Sequence, residues 1–293
     1  MSVITGTTNR AATACVAARL REAGVGSPLA EAEWMLAALL GCSRTELYLD
    51  EGALAPEEAS QLDAWVGRRA SGEPLQYVLG ATEFFGHRLR VAPGVFVPRP
   101  ETEALVERAV AHVRGVVSRS GEACRVIEVG AGSGAIAISL AKGVPACLVV
   151  AIELSWEALQ IAAANTVWHG VDDRVCLVQA DAAEALRGPV ALLISNPPYV
   201  PSGELTPRGV LTTGDPRLSL DGGPDGMALH RRLLAHAPRL LAPGGVACLE
   251  CAEPQAAVLQ AEAQAAPWVS RAEVIRDLAG RPRGVWVVRA ALS

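Results

Sequence analysis

The stretch "CRVIEVGAGSGAIAISLA", Cys124 to Ala141, decides the fold. An apolar, strand-like run ends in a turn carrying Gly130, Gly132 and Gly134, and an apolar, alanine-rich helical segment follows. Glycine lets the backbone turn sharply there and lets a ligand lie against it. Further strand-like segments come downstream: "CLVVAIEL", "RVCLVQAD", "VALLISN", "GVACLEC", a weaker "RAEVIRDL" and "GVWVVRA". Helical segments separate the first five strands. Near-continuous apolar strands alternating with helices predict an α/β fold, a mostly parallel sheet covered on both faces. No clear helix separates the last two strands, which leaves room for one to run antiparallel.

Upstream, residues 1 to about 80 read as helix throughout. In "SPLAEAEWMLAALLGC", Ser27 stands at an N-cap position and Pro28 at the first helical position. Ala32, Met35, Leu36, Leu39 and Leu40 then form one apolar face. "SRTE", Ser43 to Glu46, has the spacing of a capping box. "PEEASQLDAWVGRRASG" predicts another amphipathic helix, ending at Gly72. "TEFFGHRLRV", Thr82 to Val91, alternates around a glycine and predicts a hairpin. Pro93, Pro98 and Pro100 punctuate the boundary that follows. Pro100 suits the first turn of the helix "PRPETEALVERAVAHV", and Glu101 and Glu103 suit its positive end. The expected organisation is a helical domain over 1–80 that docks a partner, a hairpin linker over 81–97 and an α/β domain over 98–293.

Lys and Arg number 26 against 31 Asp and Glu, which argues against a nonspecific nucleic-acid binder drawing affinity from cation–phosphate contacts. No run approaches the roughly 18 apolar residues of a membrane helix. The start, "MSVITGTTNR", has no apolar signal core, so the expectation is a cytoplasmic protein with no membrane partner. Seven scattered cysteines do not make a disulfide framework. Cys248 and Cys251 have CxxC spacing, yet they lie in a strand-like run where positions i and i+3 point to opposite faces. They read as small core residues. The five histidines show no ligand spacing, and no metal is expected. Scattered apolar residues mark no dimer face, so a monomer is expected.

The segment Gly130-Ala131-Gly132-Ser133-Gly134-Ala135 also fits the dinucleotide pattern, so a nicotinamide-dependent oxidoreductase is one reading. Glu153 ends the next strand, 19 residues beyond Gly134. A carboxylate there accepts the hydroxyls of a ribose, or it caps the helix "SWEALQIAAAN". Asp181, ending the third strand, orients an adenine amine or caps the helix after it. Two features separate the ligand classes. Glu128 sets a negative charge beside the loop, unfavourable to a pyrophosphate and favourable to a cationic sulfonium or ammonium. "ISNPPY", Ile194 to Tyr199, ends the fourth strand, beside the glycine-loop strand at the sheet edge where ligands bind. Two prolines stop the ladder and leave an amide and a phenol exposed to that edge. A dinucleotide enzyme has no use for them.

The glycine loop, the ribose acid and Asn196-Pro197-Pro198-Tyr199 resemble the class I S-adenosylmethionine methyltransferases that modify planar nitrogen. Within these, the chain is similar nearly end to end to the bacterial peptide chain release factor glutamine methyltransferases. The shared pieces are "PLQYVLG" (Pro74–Gly80), "FVPRPETE" (Phe96–Glu103), "EVGAGSG", "ISNPPYVP", "DPRLSLDGGPDGM" (Asp215–Met227) and "DLAGRPRGV" (Asp277–Val285). "NPPY" is shared with DNA adenine and some RNA methyltransferases, whereas "PRPET" and "LDGGPDG" are far more specific. This chain departs at Glu153, usually aspartate in the family, at Asp215-Pro216, often Glu-Pro, and at Ala252, often glycine.

The resemblance implies a Rossmann-like sheet of seven strands, S-adenosylmethionine as cofactor and S-adenosylhomocysteine as product. It assigns Glu128, Gly130, Ala131, Gly132, Ser133, Gly134, Glu153, Asp181, Ala182 and Asn196 to the cofactor. Asn196, Pro197, Pro198 and Tyr199 go to the acceptor, with Asn196, Pro197 and Tyr199 catalytic. The implied acceptor is the side-chain amide nitrogen of glutamine in the Gly-Gly-Gln of class-1 release factors, with no stable nucleic-acid complex. Such a nitrogen is a poor nucleophile, so the site has to hold it with acceptors: the Asn196 side-chain oxygen and the Pro197 carbonyl, with Tyr199 stacking on the amide. The alternative acceptor is an exocyclic amine of adenine or guanine, against which the acidic balance stands. Residues 200–226 form a long Pro/Gly-rich connection, expected to close over the acceptor peptide.

Overall fold

The computed structural model describes residues 4, 6–49, 52–182, 186–205 and 214–291, and the chain divides into two compact units, 1–81 and 82–293. The first holds α1 (Asn9–Glu22), α2 (Pro28–Leu40), α3 (Arg44–Leu49), α4 (Pro56–Ala70) and α5 (Leu75–Leu79). Ala32, Met35 and Leu36 of α2 are buried against Val16 and Leu20 of α1 and Leu62 and Val66 of α4. Ser43 and Glu46 close the expected capping box reciprocally, at 3.2 and 2.8 Å. Ser27 makes no side-chain cap, because its ψ of 60° takes it out of the extended conformation a capping hydroxyl needs. Pro28 alone starts α2.

The second unit opens with the expected hairpin, β1 (Ala81–Phe84) and β2 (His87–Arg90). Phe84 and Leu89 enter the core of this unit. A turn of 3-10 helix, Pro100–Thr102, precedes α6 (Glu103–Ser120), and the Glu103 carboxylate accepts the Phe85 N–H at 2.8 Å. That bond gives Glu103 a use beyond the helix dipole.

Seven strands form the sheet: β3 (Cys124–Val129), β4 (Cys147–Glu153), β5 (Val175–Gln179), β6 (Val190–Ser195), β7 (Leu241–Glu250), β8 (Val269–Arg276) and β9 (Pro282–Arg289). Their order is β5-β4-β3-β6-β7-β9-β8. Neighbours from β5 to β7 run parallel, and β9 runs against both β7 and β8. The antiparallel strand is therefore the last one, as the missing helix allowed. Helices α7 (Ala135–Gly143), α8 (Trp156–Trp168), α9 (Ala228–Leu240) and α10 (Ala256–Gln264) complete the unit's named helices. A helix expected between β5 and β6 is absent among the described residues 180–182 and 186–189, where Gly188 and Pro189 lead straight into β6.

Alternate residues of each central strand feed two cores. Val126, Val149, Leu192 and Ile194 face α6 and α7, while Ile127, Ile152, Leu193 and Leu249 face α9 and α10. Cys248 and Cys251 fall on opposite faces, both buried, as their spacing in a strand requires. The crossover through α7 leads from β3 to β4 on one side, while β6 and β7 lie on the other, so the chain diverges between β3 and β6 and opens a crevice at their carboxyl ends.

Of the loop expected to close over the acceptor, residues 206–213 lie outside the described residues. Its flanks are stitched together: Val200 N–H donates to Leu220 O at 2.9 Å, and Ser202 N–H to Gly223 O at 2.8 Å. Gly226, at φ +77°, lies so close to Tyr199 that a Cβ would stand 2.2 Å from the Tyr199 carbonyl oxygen. The "GGPDG" segment thus packs directly on the backbone of "NPPY".

Leu62 is fully buried in the helical core. Leu62→Ala is expected to lower the stability of that unit by about 2–5 kcal/mol, seen as a lower urea midpoint by circular dichroism.

Candidate active site

The crevice widens into a cavity of about 740 Å³, a volume in the range of small-molecule sites. Glu128, Gly130, Ala131, Gly132, Ser133, Glu153, Asp181, Ala182, Asn196, Pro198 and Tyr199 line it; Gly134 and Pro197 do not. Gly134 instead starts α7 in the left-handed region, at φ +83°. The loop is pinned by Gly130 and Ala131 N–H groups donating to Ile152 O at 2.8 and 2.9 Å. Behind it, buried Asn165 donates to Ser133 O and Arg90 O and accepts the Arg90 N–H, tying the loop to the hairpin.

The Glu153 carboxylate accepts three backbone N–H groups, from Gly132 and Leu154 at 2.8 Å and Ser155 at 2.9 Å. Ser155, not Glu153, caps α8, its hydroxyl accepting the Ala158 N–H at 3.2 Å. Capping is therefore not what Glu153 does. Its Oε2 accepts one of those three bonds and keeps capacity for a ligand hydroxyl. Asp181 pairs with Arg232 of α9 at 3.2 Å, and residues 183–185, where a helix after it would be capped, lie outside the described residues.

Glu128 is completely buried, and neither carboxyl oxygen has a hydrogen-bond partner among the described residues. Burial pushes its pKa well up; the nearby Ala137 amide, short of a hydrogen bond, opposes this only in part, and the Glu153 charge adds to it. The Ser133 hydroxyl is likewise buried without a partner. Unpartnered polar atoms on a cavity wall are satisfied by a ligand's own groups, and an ammonium there would restore the carboxylate charge. These residues fit a ligand carrying hydroxyls at one end and a cation at the other.

At the other end of the crevice, Asn196 Nδ2 donates to Thr102 Oγ1 at 3.1 Å. The Thr102 and Asn196 side chains also face the buried carboxylate of Glu250 and favour its ionised form, while its Oε2 has no hydrogen-bond partner among the described residues. Burial pushes the Tyr199 phenol up to about 12, with the negative charge of Glu250 adding to the shift, so it stays protonated near neutral pH. Arg99 pairs with buried Asp215, which also accepts the Val97 N–H at 3.4 Å. Arg283 joins Asp277 at 2.9 Å and Glu101 at 3.5 Å. Within the second unit, residues of "FVPRPETE", "EVGAGSG", "ISNPPYVP" and "DPRLSLDGGPDGM" thus converge on one crevice.

Sequence reasoning missed Thr102 and Glu250. The available signal was a lone acid at the end of the apolar run "GVACLEC", which is costly to bury unless it has a purpose.

Two family models match the chain, a PrmC N-terminal domain over residues 11–80 and a methyltransferase small domain over residues 102–211. The release factor glutamine methyltransferase of Bradyrhizobium diazoefficiens is 38% identical over 283 residues, 96% of this chain and 95% of that one. The chain belongs to the release factor glutamine methyltransferase family.

A 4-amino-L-phenylalanine/4-methylamino-L-phenylalanine methyltransferase of Streptomyces pristinaespiralis is 39% identical over 235 residues, 79% of each chain. The fold is shared with the hMettl16 catalytic domain solved with MAT2A 3′UTR hairpin 6, at a TM-score of 0.53 and 14% identity, over 81% of this chain and 83% of that one. Where the family often has glycine, Ala252 sits at φ −66°, ψ 150°, which alanine adopts without strain. Asp215 makes its ion pair although its side chain is one methylene shorter than that of the frequent glutamate.

Glu153→Ala is expected to weaken S-adenosylmethionine binding about 10- to 100-fold in calorimetric titration, the loss of hydrogen bonds to a charged group.

Proposed function

We propose that this protein transfers the methyl group of S-adenosylmethionine to the side-chain amide nitrogen of the glutamine in the Gly-Gly-Gln motif of class-1 release factors. The product cofactor is S-adenosylhomocysteine, the setting is the cytoplasm, the working form is a monomer, and no metal takes part. The helical unit is assigned to docking the protein acceptor. The observation that carries the reading is the Asn196 amide, whose nitrogen is engaged by Thr102 at the end of the strand beside the glycine loop.

When bound, the cofactor supplies a methyl group on a cationic sulfur. Glu153 takes ribose hydroxyls and Glu128 the ammonium, so each end of the ligand meets a carboxylate. Asn196 Oδ1 and the Pro197 carbonyl accept the two N–H bonds of the acceptor amide; proline brings no N–H of its own to compete. These oxygens align the nitrogen and stabilise the positive charge that develops on it, so that positioning and electrostatics supply the rate. The proton then leaves to solvent. Tyr199, neutral at working pH, offers its ring to the flat amide and is no base.

A small aromatic amine is also a flat N–H acceptor, and the aminophenylalanine-modifying relative makes it the competing substrate to test. The protein, S-adenosylmethionine and an unmethylated class-1 release factor are incubated and read by intact-protein and peptide mass spectrometry, with 4-aminophenylalanine in parallel. A gain of one methyl on the Gly-Gly-Gln glutamine is expected. Transfer to the amino acid alone would reject the protein acceptor.

Asn196→Ala is expected to lower kcat about 10²- to 10³-fold, with a much smaller loss of cofactor affinity. An equal loss of both would remove Asn196 from the acceptor site.

A further inference from the structure

Glu250 ends β7 and is buried. Ser195 pairs with Leu249 across β6 and β7, so Asn196 and Glu250 stand side by side, one place further on. The donors of this corner face one acceptor, the Glu250 carboxylate, whose Oε2 is buried with no hydrogen-bond partner among the described residues. Asn196 Nδ2 has two protons; one goes to Thr102 Oγ1 at 3.1 Å, and the neighbouring Glu250 carboxylate is the acceptor facing the other. The Thr102 hydroxyl, which accepts from Asn196, keeps its own proton to donate, and Glu250 is the carboxylate beside it.

Building on the acceptor site proposed above, we infer that ionised Glu250 is a positioning residue: with Thr102 it holds the Asn196 amide so that Oδ1, not Nδ2, faces the acceptor nitrogen. The reverse orientation sets Oδ1 against a carboxylate, negative against negative. That penalty vanishes once Glu250 is protonated, because a carboxyl O–H donates to Oδ1. The amide can then turn Nδ2 towards the acceptor, donor against donor. The charge on Glu250 selects which face of Asn196 the acceptor meets.

The surroundings place this titration in a usable range. Burial pushes Glu250 up to about 7, against the Thr102 and Asn196 side chains, which favour its charge. Glu101, ahead of α6, raises it further, and Arg283 on β9 lowers it. Tyr199 is pushed up to about 12. Burial also pushes up the β7 thiol Cys248, and Cys251 just past the strand to about 12. His230 on α9, whose Nε2 lies 2.7 Å from the Glu250 carbonyl oxygen, is pushed down by burial. Arg99 faces Tyr199. The competent form is the ionised one, so activity rises with pH through about 7 and is lost below it.

The test is methyl transfer to a purified release factor between about pH 6 and 8.5 at saturating cofactor. The wild type is expected to show kcat rising with a midpoint near 7. Glu250→Gln keeps the size and removes the charge. It should lower kcat about 10- to 100-fold, flatten the rise, and leave the cofactor Kd unchanged. Thr102→Val removes a hydroxyl that favours the carboxylate and should move the midpoint to higher pH. A wild type with no rise, a Glu250→Gln enzyme with wild-type kcat and the same rise, or an unmoved midpoint in Thr102→Val would each overturn the inference. If Glu250→Gln does not fold, Thr102→Val decides. No transfer to the release factor by the wild type would reject the acceptor instead, and 4-aminophenylalanine would then serve for the same comparison.

Discussion

A side-chain amide presents its oxygen, rather than its NH2, to an incoming N–H when partners elsewhere hold the NH2 end. In the proposed reaction this constraint falls on Asn196, and much of the chain around it serves to meet it. Pro100 starts the short turn that delivers Thr102. Strand β7, in parallel register with β6, delivers Glu250. His230 holds the backbone of Glu250 from α9, and Asp277 holds Arg283 within electrostatic reach from β9. The glycines of "LDGGPDG" let that segment lie on the Tyr199 backbone, where any side chain would collide. Segments far apart in sequence are joined by one requirement, the orientation of one amide.

The sheet was legible because its strands are buried on both faces, and double burial writes itself as unbroken apolar runs. All seven runs became strands, and the switch between β3 and β6 followed from where the glycine loop and "NPPY" fall. Two details were not legible. The absence of a helix in the described residues between β5 and β6 depends on how short a connection the sheet tolerates, which periodicity does not encode. Ser27 has the right residue type for a cap, but its backbone conformation is set by Pro28 and the preceding turn.

The cofactor end of the site could be read because glycine at a tight turn and an acid at a strand end are local signals. The acceptor end could be read only at "NPPY". Thr102 and Glu250 join it through tertiary register: one lies 94 residues from Asn196, and the other looks like any polar residue at a strand end. Glu101 and Glu103 carried the opposite risk. The helix dipole accounts for both, yet Glu103 also binds the hairpin and Glu101 pairs with Arg283. A sufficient local reason hid the long-range one.

The same geometry distinguishes the glycine loop from the dinucleotide loops it matches in sequence. A loop of that kind binds pyrophosphate by pointing free backbone N–H groups at it from a positive helix terminus. Here Gly130 and Ala131 N–H groups donate to Ile152 O, and Gly132 N–H donates to Glu153. The donors a phosphate would need are already taken, one of them by a carboxylate. Glu128 adds a second carboxyl directly beneath the loop. A polyanion entering this crevice would meet like charge and engaged donors, whereas a cationic ligand with hydroxyls meets acceptors along its length. The nicotinamide reading therefore fails on the hydrogen bonds of the loop itself, although the glycine spacing permitted it.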